Sequence, residues 1–296
     1  MAYGGELAAL LAACTWTGSS LAFAGATTRV GSVYVNVVRL FAAAVFLALT
    51  VFVMKIGTEI SYAQLLFLSV SGLIGLVFGD AFLFKSYEYN SARISALVMS
   101  AAPALTAVMA YFIFHETLSV WAILGMAVTL GGITLVVLER KEKSDRHHPV
   151  SMKGVFYAFL GALGQAGGLI FAKNAFTMGP INGFYATLIR VLAAILVITP
   201  LHYFGGHFQH PIRVFAGNRR AFWFTMLGAV LGPFLGVTLS LVSISLTSLA
   251  IAATLMALVP ILMLPAVWIL FREHLTWRAV LGAFVAVAGV AILFLR

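Results

Sequence analysis

Two arginines and one aspartate stand where this chain can least accommodate charge: Arg39, Arg190 and Asp80 each lie inside a long apolar run. A charge at that depth is costly, and its default reading is a substrate or ion site. Both arginines are therefore candidates for function, and Tyr34 and Asn36, close by on the same helix, favour Arg39 over Arg190. Each arginine also lies only six to eight residues from its helix start, so a long side chain could instead snorkel to the headgroups as an anchor. Asp80 could take a cationic group or a proton, or it could pair with Lys85 or Arg93 as a helix-end residue.

Around these charges the chain sets neutral polar groups. The first apolar run carries Thr15, Trp16, Thr17, Ser19 and Ser20, and the sixth carries Gln165 and Asn174. Ser240, Ser243 and Ser245 lie in the eighth, and Met99 and Met256 occupy equivalent places in the fourth and ninth. A tryptophan, an amide, hydroxyls and flexible thioethers suit a small, partly apolar, neutral or zwitterionic solute. Single serines and threonines also serve ordinary helix packing. The candidate substrate-binding set is therefore Trp16, Thr17, Ser19, Asn36, Arg39, Asp80, Met99, Gln165, Asn174, Arg190, Ser243 and Met256.

Other chemistry finds little support. His202, His207 and His210 are irregularly spaced beside Pro211 and basic residues, which fits headgroup contact better than a metal site. No Walker loop, GxSxG, HExxH or CxxC is present, so an ATP-driven pump or a familiar hydrolase is not indicated. An intramembrane enzyme would need a nucleophile–base pair or a metal set inside the spans, and neither is found. No cofactor is expected.

The elements that must position these residues follow from composition. Hydrophobic residues make up 62% of the chain and charged residues 9%, so the surrounding solvent is lipid. A hydrocarbon core of about 30 Å requires roughly 20 apolar residues per helix. Ten runs qualify: 6–27, 33–54, 62–84, 92–114, 119–138, 154–176, 183–204, 221–243, 247–271 and 276–295. Their continuous apolarity favours helices over barrel strands, which alternate. Met1–Gly5 carries no Lys or Arg, and no cleavable signal is expected. The single Cys14 excludes an intrachain disulfide.

The net charge of +9 is not a nucleic-acid signal, because it is distributed by side. Thirteen Lys and Arg fall in the loops after the odd-numbered runs, against Lys55, Lys173 and Arg296 on the other side. The positive-inside bias then places those basic loops in the cytoplasm and both termini outside, in an inner (plasma) membrane. The expected partners are the bilayer and a small-molecule substrate, for a monomer or homodimer.

The chain also repeats itself. A shift of 157 places Gly75 on Gly232, Gly79 on Gly236, Met99 on Met256, Pro103 on Pro260 and Glu116 on Glu273, while Asp80 meets Val237. Upstream the offset drifts to about 150, so Arg39 faces Arg190 and Trp16 falls near Gln165. Two five-helix units, 1–138 and 154–296, are joined by the charged linker 139–153. A unit that begins after an odd number of crossings lies upside down, so an all-α integral membrane protein of two inverted five-helix repeats is expected. Such repeats mark secondary transporters, with substrate near the midplane.

Within each unit, small residues four apart (Ser71, Gly75, Gly79; Gly228, Gly232, Gly236) predict close helix packing. Pro103 and Pro260 predict matched kinks that serve as hinges or shape the site. Glu116 and Glu273 precede helix starts, where a carboxylate favours the free N–H groups, and read as structural latches.

This arrangement resembles the drug/metabolite transporter superfamily, EamA type, most closely in "GDAFLFKSYEYNSARISALVMSAAPALTAVMAYFIFHETLSVWAILG". The resemblance spans nearly the whole chain and implies transport of small metabolites by alternating access, with export of amino acids or similar solutes the leading case. Efflux of drugs or organic cations is the alternative. The family's small four-helix multidrug members carry a glutamate in mid-helix 1, whereas "LLAACTWTGSSLAFAG" here has no charge, which weakens that alternative.

Overall fold

The computed structural model describes residues 3–114, 119–138, 150–208, 210–247, 252, 255–271 and 275–293. Glu116, Glu273 and most of the linker lie outside the described residues. Among those described, every regular element is helical. Six helices are long and apolar enough to cross a membrane. They are α1 (Gly4–Val30), α2 (Ser32–Val53), α3 (Tyr62–Tyr87), α6 (Met152–Thr177), α7 (Gly183–Phe204) and α8 (Arg219–Leu246). Shorter apolar helices accompany them among the described residues. α4 comprises Ala92–Met99 and Ala102–Phe114, α5 is Val120–Leu138, α9 is Val259–Phe271 and α10 is Trp277–Leu293.

Local chemistry explains several boundaries. Ser61 and Gln64 form a reciprocal capping box at the start of α3, which satisfies two orphan donors. The side chains of Asn182 and Asn218 accept from the first turns of α7 and α8. Ser32, the first residue of α2, donates its backbone N–H to Glu88 Oε1 at 2.9 Å. Burial opposes the charge on Glu88, yet bonds from Lys85 and Ser32 outweigh it and hold the carboxyl below its ordinary value.

Helix α4 departs from the continuous kinked helix expected. It breaks at Ser100–Ala101, and Pro103 becomes the second residue of a new helical segment. A first-turn proline forfeits no intrahelical hydrogen bond, so the chain restarts rather than bends. A turn at Ala257–Leu258 likewise precedes α9, in which Pro260 is second. The two breaks are one repeat shift apart.

The same shift relates two widened segments. Leu73–Gly79 in α3 and Val230–Gly236 in α8 are π-helical, a form that recurs at functional sites. The residues that follow them are Asp80 and Val237.

Packing between the halves is reciprocal. α1 lies on α8 and α6 on α3, while α2 packs on α7 and α5 on α10. Glycines allow the closest of these contacts: a Cβ added at Gly164 of α6 would come within 2.4 Å of Gly79 Cα, and one at Gly132 of α5 within 2.4 Å of the Ala286 amide on α10. Ser71 of α3 donates to the Gly168 carbonyl of α6 at 2.5 Å. Lipid gives helices no hydrophobic reason to associate, so such backbone contacts and interhelical hydrogen bonds do that work.

Candidate functional site

Between these helices lies a cavity of about 390 Å³, within the range of small-molecule sites. It is lined from both halves, by α1, α2, α3 and α4 and by α6, α7, α8 and α9. At the end where the basic loops lie, the lining merges into an apolar cluster: Leu21, Phe23 and Ala26 of α1, Phe84 and Tyr87 of α3, Ala92 and Ala96 of α4, and Met263 and Val267 of α9. Toward the other end the lining reaches Lys173, which is exposed.

The charges meet here. Arg39 Nη2 donates to Asp80 Oδ2 at 2.5 Å, with both side chains buried. Asn36 Oδ1 accepts from Arg39 Nε at 3.0 Å and from Nη2 at 2.8 Å. The Arg39 guanidinium carbon lies 4.7 Å from the Phe84 ring centroid and 5.6 Å from that of Phe23, close enough for cation–π attraction. Gln165 completes the network from the second half, donating Nε2 to Asp80 Oδ1 at 2.7 Å and to the Gly75 carbonyl at 3.3 Å.

This geometry decides between the sequence alternatives. Arg39 does not snorkel; at 3% exposed it points inward. Asp80 pairs with Arg39, not with Lys85 or Arg93 as a helix-end residue would. Lys85 instead binds Glu88 at 2.5 Å, its neighbour one helical turn on. Arg190 also faces the cavity and is 5% exposed.

Of the candidate residues, Trp16, Ser19, Arg39, Asp80, Met99, Gln165, Arg190 and Met256 line the cavity, as do Pro103 and Pro260. Four do not. Thr17 is buried on another face of α1 and bonds back to the Ala13 carbonyl. Asn36 sits behind Arg39 as its support. Asn174 is half-buried beside the lining, and Ser243 is buried with no hydrogen-bond partner for its Oγ among the described residues. On a helix only one face meets a given neighbour, and these residues stand on other faces.

Sequence reasoning noted Ser20 among the polar residues of the first run but left it out of the candidate set, and it missed Phe23, Tyr87 and Lys173; all four are in the lining. Lys173 had been grouped with the external loop charges, although it lies four residues before the end of α6. Ser20 is one turn from Trp16, a spacing that could have suggested it. His202 and His207 lie near the basic end of α7, away from the cavity, and among the described residues no group of three or more His, Cys, Asp or Glu could hold a metal.

Comparison with known proteins bears on the family and the fold. The profile of the EamA-like transporter family matches residues 3–138 and again 152–295. An uncharacterized transporter, YxxF, of Bacillus subtilis (strain 168) is 26% identical over 130 residues, which cover 44% of this chain and 40% of that protein. The matched region thus spans well under half of the relative's length. A solved structure described only as the crystal structure of a protein superposes with a TM-score of 0.66 at 16% identity, covering 97% of this chain and 95% of that one; at that identity the likeness concerns the fold alone. With family matches over both halves and helices that span a membrane, the chain is a multi-pass membrane protein and belongs to the EamA-like transporter family.

Proposed function

We propose that this protein is a secondary transporter that exports amino acids or similar small solutes by alternating access, its halves acting as inverted repeats. One observation carries the reading: a single cavity at the junction of the halves brings Arg39, Asp80, Gln165 and Arg190 into an apolar shell. Midplane sites at a repeat interface are the general plan of such carriers. Gln165 must turn its N–H groups to Asp80, which leaves Oε1 as an acceptor for a substrate amine. Pro103 and Pro260, at matched helix breaks on the cavity wall, are placed to act as hinges. The apolar cluster then represents a closed gate on the cytoplasmic side, with access from the side of Lys173.

Efflux of organic cations is the weaker reading. Among the described residues the one carboxylate in the cavity lining, Asp80, is already bonded to Arg39 and Gln165, and an entering cation would meet Arg190. Flux in proteoliposomes over a panel of amino acids and organic cations, with and without a pH gradient, separates the two.

Two results are expected. Trp16→Ala and Gln165→Ala should lose most transport, roughly tenfold or more if one substrate hydrogen bond of about 1.5 kcal/mol is removed, while both proteins stay folded and inserted, Gln165→Ala melting somewhat lower because Asp80 loses one donor. Normal flux in Gln165→Ala would remove this residue from the site. Second, the excess of cations on one set of loops places both termini outside and the basic loops in the cytoplasm. A reporter active only in the cytoplasm should therefore be silent when fused after Arg296 and active within the basic linker. The reverse pattern would invert every side assignment.

A further inference from the structure

The two halves carry the same cation but only one counter-ion. Arg39 on α2 corresponds to Arg190 on α7, and Asp80, just after the π-helical segment of α3, corresponds to Val237, just after that of α8. In the first half the arginine meets its aspartate at 2.5 Å. In the second, the equivalent wall position is Val237, which lines the cavity.

Arg190 is consequently left over. It is 5% exposed, and its Nε has no hydrogen-bond partner among the described residues. Asp80 acts on it electrostatically, but the hydrogen bonds of that carboxylate go to Arg39 and Gln165 and not to Arg190. A guanidinium stays protonated at any working pH, and a charge buried without a partner is strongly unfavourable. The surroundings nevertheless make room for it: a Cβ added at Gly75 would come within 3.2 Å of Arg190 Nη2, and one at Gly72 would collide with the Arg190 carbonyl. A cation given room by a glycine and without an ion pair among the described residues is suited to an external anion.

We infer that Arg190 receives the carboxylate of the substrate, which occupies the place beside Val237 that Asp80 fills in the other half. This rests on the transport reading and narrows its substrate to solutes bearing one carboxylate. Charge favours the choice. The lining holds Arg39, Arg190 and Lys173 against Asp80, so a single anionic head neutralises the buried part, and the exposed Lys173 attracts it at the edge. Shape favours it too, since the planar fork of a guanidinium matches two carboxylate oxygens. The rest of the solute would meet Ala166, Ile170, Pro233, Val237 and Met256, which calls for an apolar body.

The test uses the full chain, with ligand-induced thermal shift for binding and proteoliposome flux for transport. The panel sets apolar amino acids beside their deaminated acids, their amides and inorganic phosphate. Acids with and without the amine should shift the melting temperature, and amides and phosphate should not. Arg190→Gln should weaken carboxylate binding roughly thirtyfold or more, while the unliganded protein melts no lower than the parent. Arg190→Lys should retain part of the affinity. Val237→Asp supplies the missing counter-ion, so it should raise the unliganded melting temperature and abolish the carboxylate response. The inference is overturned if amides bind as well as acids, if phosphate binds in their place, if no carboxylate produces a shift, or if Arg190→Gln keeps its affinity. Carboxylate-dependent shifts without flux would count against the transport reading while leaving Arg190 assigned. Flux indifferent to the carboxylate would do the opposite.

Discussion

Asp80→Ala should destabilise the folded protein by about 3–5 kcal/mol, the usual cost of removing one partner from a buried ion pair. The reason lies in what remains. Arg39 is 3% exposed, and its other contacts are the Asn36 carbonyl oxygen and the faces of Phe23 and Phe84. None carries a full negative charge. Without Asp80, Gln165 Nε2 also loses the nearer of its two acceptors, keeping only the Gly75 carbonyl. The double variant Arg39→Met/Asp80→Leu, which replaces the pair by apolar groups of similar volume, should recover most of that stability yet fail to transport. Thermal unfolding in detergent and proteoliposome flux, measured on the same preparations, separate these effects. An Asp80→Ala protein that melts with the parent would mean that water or another anion reaches Arg39, and the buried network described here would be wrong.

The second large effect is expected at Gly164, where α6 crosses α3. A Cβ there would lie 2.4 Å from Gly79 Cα and 2.7 Å from the Gly79 amide. Neither atom can rotate away as a side-chain tip could, so the two helices must separate. Overpacking in a yielding core costs typically 1–3 kcal/mol, and Gly164→Leu should exceed about 3 kcal/mol and leave little monodisperse protein. Gly232, from the small-residue stripe of α8, is a different case. Its added Cβ would meet the side chains of Phe23 and Ser19 at 3.1–3.3 Å, and Gly232 lines the cavity. Gly232→Leu should therefore fold and block transport by filling the site. Size-exclusion profiles and flux for both variants distinguish the cases; a well-folded Gly164→Leu would show that the α3–α6 contact is looser than described.

Much of the architecture was legible in the residues alone. Apolar run length marks helices because lipid cannot satisfy a bare backbone, and six of the ten expected runs are helices long enough to span. The 157-residue shift foretold equivalent places for Pro103 and Pro260, and both stand at matched breaks. Helix ends moved by a few residues, since a cap such as Ser61 with Gln64 or a neighbour such as Glu88 decides where a terminus is satisfied.

What the sequence by itself determined is the solvent, the helical repertoire, the repeat and the short list of polar residues placed at a cost in lipid. Only the tertiary structure decided which of them act together. Spacing cannot say that Asp80 turns to Arg39, 41 residues away, and to Gln165, 85 residues away, because those contacts depend on how α2, α3 and α6 cross. Nor can it say that Thr17, Asn174 and Ser243 stand aside, since a residue's face is defined only against the helix it meets. The π-helical segments shift that face again by widening the turn just before Asp80 and Val237. Composition could place charge in the membrane; packing alone assigned an internal counter-ion to Arg39 and left Arg190 without a comparable one.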